Sequence, residues 1–506
     1  MKKCSWILVL VSAASTAVAD VKLPAVFADH MVLQQETSAV LWGWAEKGEG
    51  VAVSGTWGEK AATTADDTGK WKAALRTPAA GGPYSVTVRG KNTIELKDVL
   101  IGEVWLCSGQ SNMGMTVNGV INADKEIAAA KYPQMRLLGV NRVTANAPQT
   151  DCAVVSWAVC SPETVRNFTA AGYFFGRRLY QDLKIPIGLI DTSWGGSCIE
   201  TWTPWESQKD DDVVKGLRAS WDARDEAFVP EKAKAKYAAD LTAWKAWLKG
   251  GRKGKALRRP RVPIQPRKSH NYPSNLFNAM LNPLAPFSIR GAIWYQGESN
   301  LRDGMVYHEK MKALIAGWRH VWKDESMPFI FTQLAPFRYG NSNPELLPRI
   351  WEAQAATLKV PHTGMAVITD IGNTRNIHPR NKQDVGARLA LWALSKTYEK
   401  KLVYSGPLYH DMKIEQSRIK ISFDHAAGLR SDDGKALTHF QVAGKDRAFA
   451  DAIAVIEGDS IFVSSQTVAK PVAVRFGWHH EAEPNLINSA GLPASPFRTD
   501  DWPLAE

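Results

Sequence analysis

Val104-Trp105-Leu106-Cys107-Ser108-Gly109-Gln110-Ser111-Asn112-Met113 passes within ten residues from a compact apolar run to a polar turn opened by a glycine. A short apolar run bounded by turn residues predicts a buried strand, here 104–107. The same change recurs at 187–190 before Asp191-Thr192-Ser193-Trp194-Gly195-Gly196-Ser197, and at 292–295 before Gln296-Gly297-Glu298-Ser299-Asn300. It recurs again at 329–332, and at 365–368 before the loop that holds Asp370, Arg375, Ile377, His378 and Pro379. Helical patterns separate these runs: Tyr307, Met311, Leu314, Ile315 and Trp318 fall on one helical face, and a second helix is predicted over 385–398. Strand and helix in repetition imply an α/β fold with a parallel sheet covered on both faces. Ligands bind such sheets outside the carboxyl ends of the strands. The polar, glycine-rich loops stand at those ends.

Outward from this core the character changes. From residue 21 to about 100, short β-prone runs at 39–44, 51–54 and 84–88 alternate with turn residues, predicting a small antiparallel sandwich. After residue 401, runs at 419–423, 461–463 and 472–476 predict a closing β domain. Residues 205–269 interrupt the strand–helix alternation with charged, Ala-rich helical sequence and then Pro-punctuated basic sequence, so they read as an insertion. The expected divisions are 1–19, 20–99, 100–400 and 401–506. A chain of 506 residues exceeds the roughly 250–300 at which one core stops growing, which agrees with several domains. With 45% hydrophobic residues, 22% charged residues and 20 Trp, the composition is globular, and most of the tryptophans are expected in cores.

Met1-Lys2-Lys3, an apolar stretch from Trp6 to Ala14 and Ala17-Val18-Ala19 have the three parts of a secretory signal peptide, with cleavage expected after Ala19. That stretch is too short to span a bilayer, and the mature protein is expected to be soluble and periplasmic or extracellular. Cys4 leaves with the leader. Cys107, Cys152, Cys160 and Cys198 allow two disulfides or buried thiols, and no CxxC spacing supports zinc. The net charge of +11 is concentrated between Lys245 and Lys268, where ten Lys or Arg occur without Asp or Glu. A solvated surface insertion accounts for that run; attraction to acidic glycans is the sharper reading, and nucleic acid ranks last because no binding motif accompanies it.

Each strand-end loop has a plain and a chemical reading. Ser111, on a tight turn, is either a nucleophile with neighbouring backbone N–H groups or the N-cap of the next helix. Ser193 is a decoy, because Asp191 stands where a nucleophile elbow needs glycine. The Gly195-Gly196 pair lets the main chain approach a developing oxyanion. Gln296 and Asn300 offer amides and Glu298 a carboxylate, or the loop is simply a satisfied polar turn. His378 in a loop at the same sheet edge is a candidate general base.

Taken in order, Gly109-Gln110-Ser111-Asn112-Met113, Trp194-Gly195-Gly196, Tyr295 to Asn300, and Ile377-His378-Pro379 with Lys382 and Val385-Gly386-Ala387-Arg388-Leu389 resemble the sialate O-acetylesterase family of SGNH hydrolases. Met31-Val32-Leu33-Gln34 and the segment from Gly491 to Trp502 agree with it at the two ends, so the resemblance covers nearly the whole mature chain. It implies a three-layer α/β/α SGNH core flanked by N- and C-terminal β-sandwich-like domains. It also implies a serine esterase that removes O-acetyl groups from sialic acids through an acetyl-enzyme, without metal or cofactor. Carried over, Ser111 matches the nucleophile and His378 the base, and the oxyanion donors are the N–H of Ser111, Gly196 and the Gln296 amide, with Gly195 and Asn300 as alternatives. Gln110, Asn112, Trp194 and Glu298 are the expected substrate-side residues. The family's usual Asp three residues before the histidine is replaced by Arg375. Either Asp370 orients His378, or the site works as a dyad. An acetyl xylan or xyloglucan esterase is the neighbouring alternative, and a non-catalytic glycan-binding protein the alternative of another class. A glycosidase lacks a convincing carboxylate pair. The expected partner is an acetylated glycan, and the oligomeric state is open.

Overall fold

The structure, a computed structural model, describes residues 20–252 and 256–503; the expected leader, residues 1–19, lies outside the described residues. At its centre is a sheet of seven strands: β1 (Thr93–Gly109), β2 (Tyr132–Val140), β3 (Val154–Cys160), β4 (Ile187–Asp191), β5 (Gly291–Tyr295), β6 (Phe329–Thr332) and β7 (Thr363–Ala366). They lie in the order β7-β6-β5-β1-β4-β2-β3. All neighbours are parallel except β2 and β3. The register pairs Asp191 with Cys107 and Tyr295 with Gly109, so the carboxyl ends of β4, β1 and β5 finish level with one another. Strands β2 and β3 escaped the sequence reading. Tyr132-Pro133-Gln134 opens β2 with exposed or half-buried residues, and no glycine-rich loop marks its end.

Side-chain alternation along β1 sorts the two faces. Trp105 points to one face and packs edge-on to Phe175 of the helix Ala170–Leu183, ring centroids 5.0 Å apart. Trp294 of β5 is paired with Ser108, so it points to the other face, where it meets Trp318 of the helix Val306–Trp322 at 5.9 Å. The helix Lys382–Lys396 lies against Ala170–Leu183 so closely that a Cβ on Gly386 would stand 2.6 Å from the Phe175 backbone nitrogen. Both faces of the sheet are therefore covered, and β1, β4, β5, β6 and β7 read as continuous apolar runs for that reason.

β1 is one 17-residue strand with two lives. Its first half alternates exposed and buried residues and pairs antiparallel with Gly81–Arg89 in the N-terminal sheet; its second half is buried throughout and parallel to β4 and β5. A single hydrophobic core accordingly runs from Val21 to Leu394. The C-terminal strands have a separate core built on Ile419, Ile421, Val442, Ile461, Val474 and Phe476. Between β4 and β5 the insertion forms the helices Asp212–Glu226 and Pro230–Lys249; the second buries none of its side chains, which is why its sequence is charged on all sides. No described helix is long and apolar enough to cross a membrane. Cys107, Cys152, Cys160 and Cys198 are all free thiols.

Candidate active site

β1 delivers Ser111. Gly109 takes φ +138°, and a Cβ there would lie 2.2 Å from the Tyr295 carbonyl oxygen, so only glycine lets β1 close on β5 at this point. The chain then turns into the one-turn helix Ser111–Gly114, whose first N–H groups have no intrahelical acceptor. His378 arrives on the loop after β7, with its Nε2 2.8 Å from Ser111 Oγ. Burial, and then the nearby Lys382 ammonium, hold the imidazole below the usual histidine pKa, so it is neutral and able to accept a proton at neutral pH.

The second loop closes over Ser111 from the β4 side. Trp194 N–H donates to the Gly109 carbonyl at 3.0 Å, and a Cβ on Gly195 would touch Ser111 Cβ at 3.2 Å. Gly196 follows with φ +73°, and its N–H has no protein acceptor among the described residues. Asn271, at the end of the insertion, grips both sides of this turn: its Nδ2 donates to the Gly196 carbonyl at 3.0 Å, and its Oδ1 accepts from Cys198 N–H at 2.8 Å. His270 stacks on Trp194, centroids 5.2 Å apart and planes 8° apart, covering one face of the indole. Neither Asn271 nor His270 carried a sequence signal, because both lie just after the insertion at 205–269, far from any strand end.

The other expected residues fall differently. Asp370 does not reach His378: its two oxygens are taken by Arg388 at 2.6 Å each, and His378 Nδ1 has no protein partner among the described residues. Gln296 and Asn300, expected as oxyanion donors, face each other instead. Gln296 Nε2 donates to Asn300 Oδ1 at 2.7 Å and to the Ser197 carbonyl at 3.1 Å, while Tyr307 Oη donates to Gln296 Oε1. Asn300 Nδ2 is held by Asp303 and Glu200, the carboxylates that flank buried Lys310. Both amides are thus used up in tying the β5 loop to the second loop. Ser193, the decoy, is buried with its N–H on Asp191 Oδ1.

Asn112 and Glu298, expected on the substrate side, instead bond to each other, Asn112 buried and Glu298 half-buried. Asn112 Nδ2 donates to Glu298 Oε1 at 2.5 Å and to the Ile377 carbonyl at 2.9 Å, and Lys382 Nζ donates to Asn112 Oδ1 at 2.7 Å. One side chain therefore ties together the helix that Ser111 opens, the β5 loop and the residue before His378. Burial pushes Glu298 up and Lys382 down to about 7. Gln110 is different again. Its Oε1 accepts from Gly297 N–H at 3.4 Å and Ser299 N–H at 3.3 Å, which turns Nε2 away from that loop. Among the described residues no protein group takes up that Nε2.

A serine hydroxyl bonded to a neutral imidazole at the carboxyl edge of a parallel sheet, beside free backbone N–H groups, is the equipment of a serine hydrolase. The family described as "Carbohydrate esterase, sialic acid-specific acetylesterase" matches residues 101–228 and 249–394, and the chain belongs to that family of ester hydrolases. It is 33% identical to the sialate O-acetylesterase of Rattus norvegicus over 80% of each chain, and 29% identical to that of Homo sapiens over 93% of this chain and 90% of the other. The crystal structure of a carbohydrate acetylesterase from Xanthomonas citri superposes with a TM-score of 0.81 at 36% identity, covering 95% of this chain and 100% of that one.

Proposed function

We propose that the protein is a sialate O-acetylesterase with Ser111 as nucleophile and His378 as base. The 2.8 Å contact between the two, in a chain of this family, carries the reading. Ser111 Oγ attacks the acetyl carbonyl and its proton passes to His378 Nε2; the C–O bond to the sugar breaks as the imidazolium returns that proton to the departing oxygen. Water, deprotonated by the same imidazole, then releases acetate and frees Ser111. With Nδ1 of His378 unpartnered, the pair works as a dyad. The N–H groups of Ser111 and Gly196 supply two oxyanion donors. Because the amides of Gln296 and Asn300 are occupied, the free Nε2 of Gln110 is the third, set beside the nucleophile by its own two bonds to the β5 loop. The substrate is an acetylated sialic acid, and the leader at 1–19 directs the enzyme to the periplasm or beyond.

Acetate release from O-acetylated mucin tests this. Ser111→Ala is expected to abolish it with the fold intact, and a fully active variant would sink the assignment. Gln110→Ala is expected to lower kcat about 10²-fold or more, as loss of an oxyanion donor does, with KM little changed. The likeness to the Xanthomonas carbohydrate acetylesterase supports a second reading, an esterase of other acetylated carbohydrates such as xylan or xyloglucan. Wild-type rates on acetylated xylan against acetylated sialic acid decide between them.

A further inference from the structure

β4, β1, β5 and β7 each contribute a loop to the site, and β2 ends at the same edge beside β4. Two residues beyond β2 stands Arg142. Its Nε donates to the Ser193 carbonyl at 3.1 Å, which fastens the guanidinium to the loop that carries Gly195 and Gly196. One terminal nitrogen, Nη2, lies 3.4 Å from the place a Cβ on Gly114 would occupy. Gly114 closes the single helical turn that Ser111 opens, so the guanidinium stands about one turn, roughly 5 Å along the helix axis, from the nucleophile's end. Both terminal nitrogens lack an acceptor among the described residues, and Arg142 makes no ion pair there. The half-buried Asp191 carboxylate interacts with the Arg142 charge through space but spends a hydrogen bond on Ser193 N–H. Arg142 is solvent-exposed at its free end. Here the charge is anchored at one nitrogen, beside Gly114 of the Ser111 turn, and open at the two nitrogens that form a planar fork.

We propose that Arg142 is the anchor for the substrate's carboxylate and so the residue that makes this site prefer an acidic sugar. This rests on the sialate reading of the active site and names the group that would enforce it. A sialic acid carries a carboxylate on its ring and the scissile acetyl on another oxygen of the same molecule, so a site that holds the acetyl at Ser111 presents the carboxylate a sugar's breadth away. A guanidinium offers that carboxylate two parallel, charge-assisted hydrogen bonds. A neutral acetylated glycan has nothing to place there.

The test is the ratio of kcat/KM for O-acetylated sialic acid to kcat/KM for its methyl ester, which keeps the acetyl group and removes the charge. The ratio does not depend on how much of a preparation is folded. Wild type is expected to favour the acid, Arg142→Leu to lower the ratio about ten- to a hundredfold, and Arg142→Lys to lower it less, because the charge stays and the fork is lost. A ratio that Arg142→Leu leaves unmoved overturns the proposal. If wild-type enzyme releases acetate from p-nitrophenyl acetate and acetylated xylo-oligosaccharides but not from acetylated sialic acid, the sialate reading falls and the carboxylate anchor with it. That failure is seen in the wild type alone, whereas a failure confined to Arg142 is seen only in the variants.

Discussion

A lysine sealed from water keeps its charge only if its surroundings replace hydration, and Lys382 has little to do so: the Asn112 carbonyl oxygen, the face of Tyr295 at 5.0 Å, and Glu298 through Asn112. Burial holds it down to about 7, so it is charged below that pH. As the proposed base, His378 acts only while neutral, so kcat/KM is expected to fall as pH drops through its pKa, and in that range the Lys382 cation opposes the imidazolium. Lys382→Met removes the cation and makes the imidazolium easier to form. The acid limb of the kcat/KM profile is therefore expected to move to higher pH, by a few tenths to about one unit, alongside any loss of rate; an unmoved limb would mean that the lysine acts by packing alone. Among the described residues, Glu298 Oε2 and the Tyr295 hydroxyl lack hydrogen-bond partners, and Asn112 bridges Glu298 to Lys382. Sequence order was enough to bring Ser111 and His378 together, because each follows a strand of one sheet edge. It could not show which way a polar side chain turns. Gln296, Asn300 and Glu298 are as polar as Gln110, yet they point inward to neighbours that only the folded chain supplies, and Asp370 meets Arg388 from the next helix before it can meet His378.

At the scale of elements, the site depends on how loops from separate strands are held level. The strands themselves follow from buried apolar runs, so β1, β4, β5, β6 and β7 and the helices Val306–Trp322 and Lys382–Lys396 were legible. β2 was hidden by its polar start, and with it the place of Arg142. The insertion was legible as an insertion, but its attachment was not. Arg267 pairs with Asp222 at 2.9 Å and Tyr272 Oη donates to the same carboxylate, so the segment after the basic run is drawn back to the helix Asp212–Glu226. That brings Asn271 to the Gly196 turn. Asn271→Ala leaves the Cys198 N–H without its partner and the Gly196 carbonyl to the His270 imidazole, and the turn loses the clamp that aims the Gly196 N–H. The expected result is a fall in kcat of about ten- to a hundredfold with a loss of about 1–2 kcal/mol in stability, read by steady-state kinetics and urea unfolding. Equal kcat in variant and wild type would show that the turn holds its shape unaided.

The whole molecule has two cores joined by charges rather than by apolar contact alone. Arg475 of the C-terminal sheet reaches Glu345 beside the helix Leu346–Thr357 at 2.9 Å, and Arg498 reaches Glu352 on that helix at the same distance. Between the two arginines lies Asp500, its side chain fully buried, accepting from Arg475 at 3.0 Å and from Arg498 at 3.4 Å. Gln333, just past β6, adds a bond to Ser495 at 2.9 Å. Asp500 thus bridges two cations, each of which also holds a glutamate of the catalytic body. Removing one member of a buried ionic group costs about 3–5 kcal/mol where its partners are left charged and unsolvated; because Arg475 and Arg498 keep Glu345 and Glu352, this site falls at the low end. Asp500→Ala is therefore expected to lower stability by about 3 kcal/mol in denaturant unfolding. Because Ser111, His378, Gly196 and their clamps all lie in the other core, the variant's kcat at temperatures well below its transition should stay within about twofold of wild type. A variant that loses turnover while still folded would show instead that the C-terminal body sets the position of the β6 and β7 loops, and through them of His378.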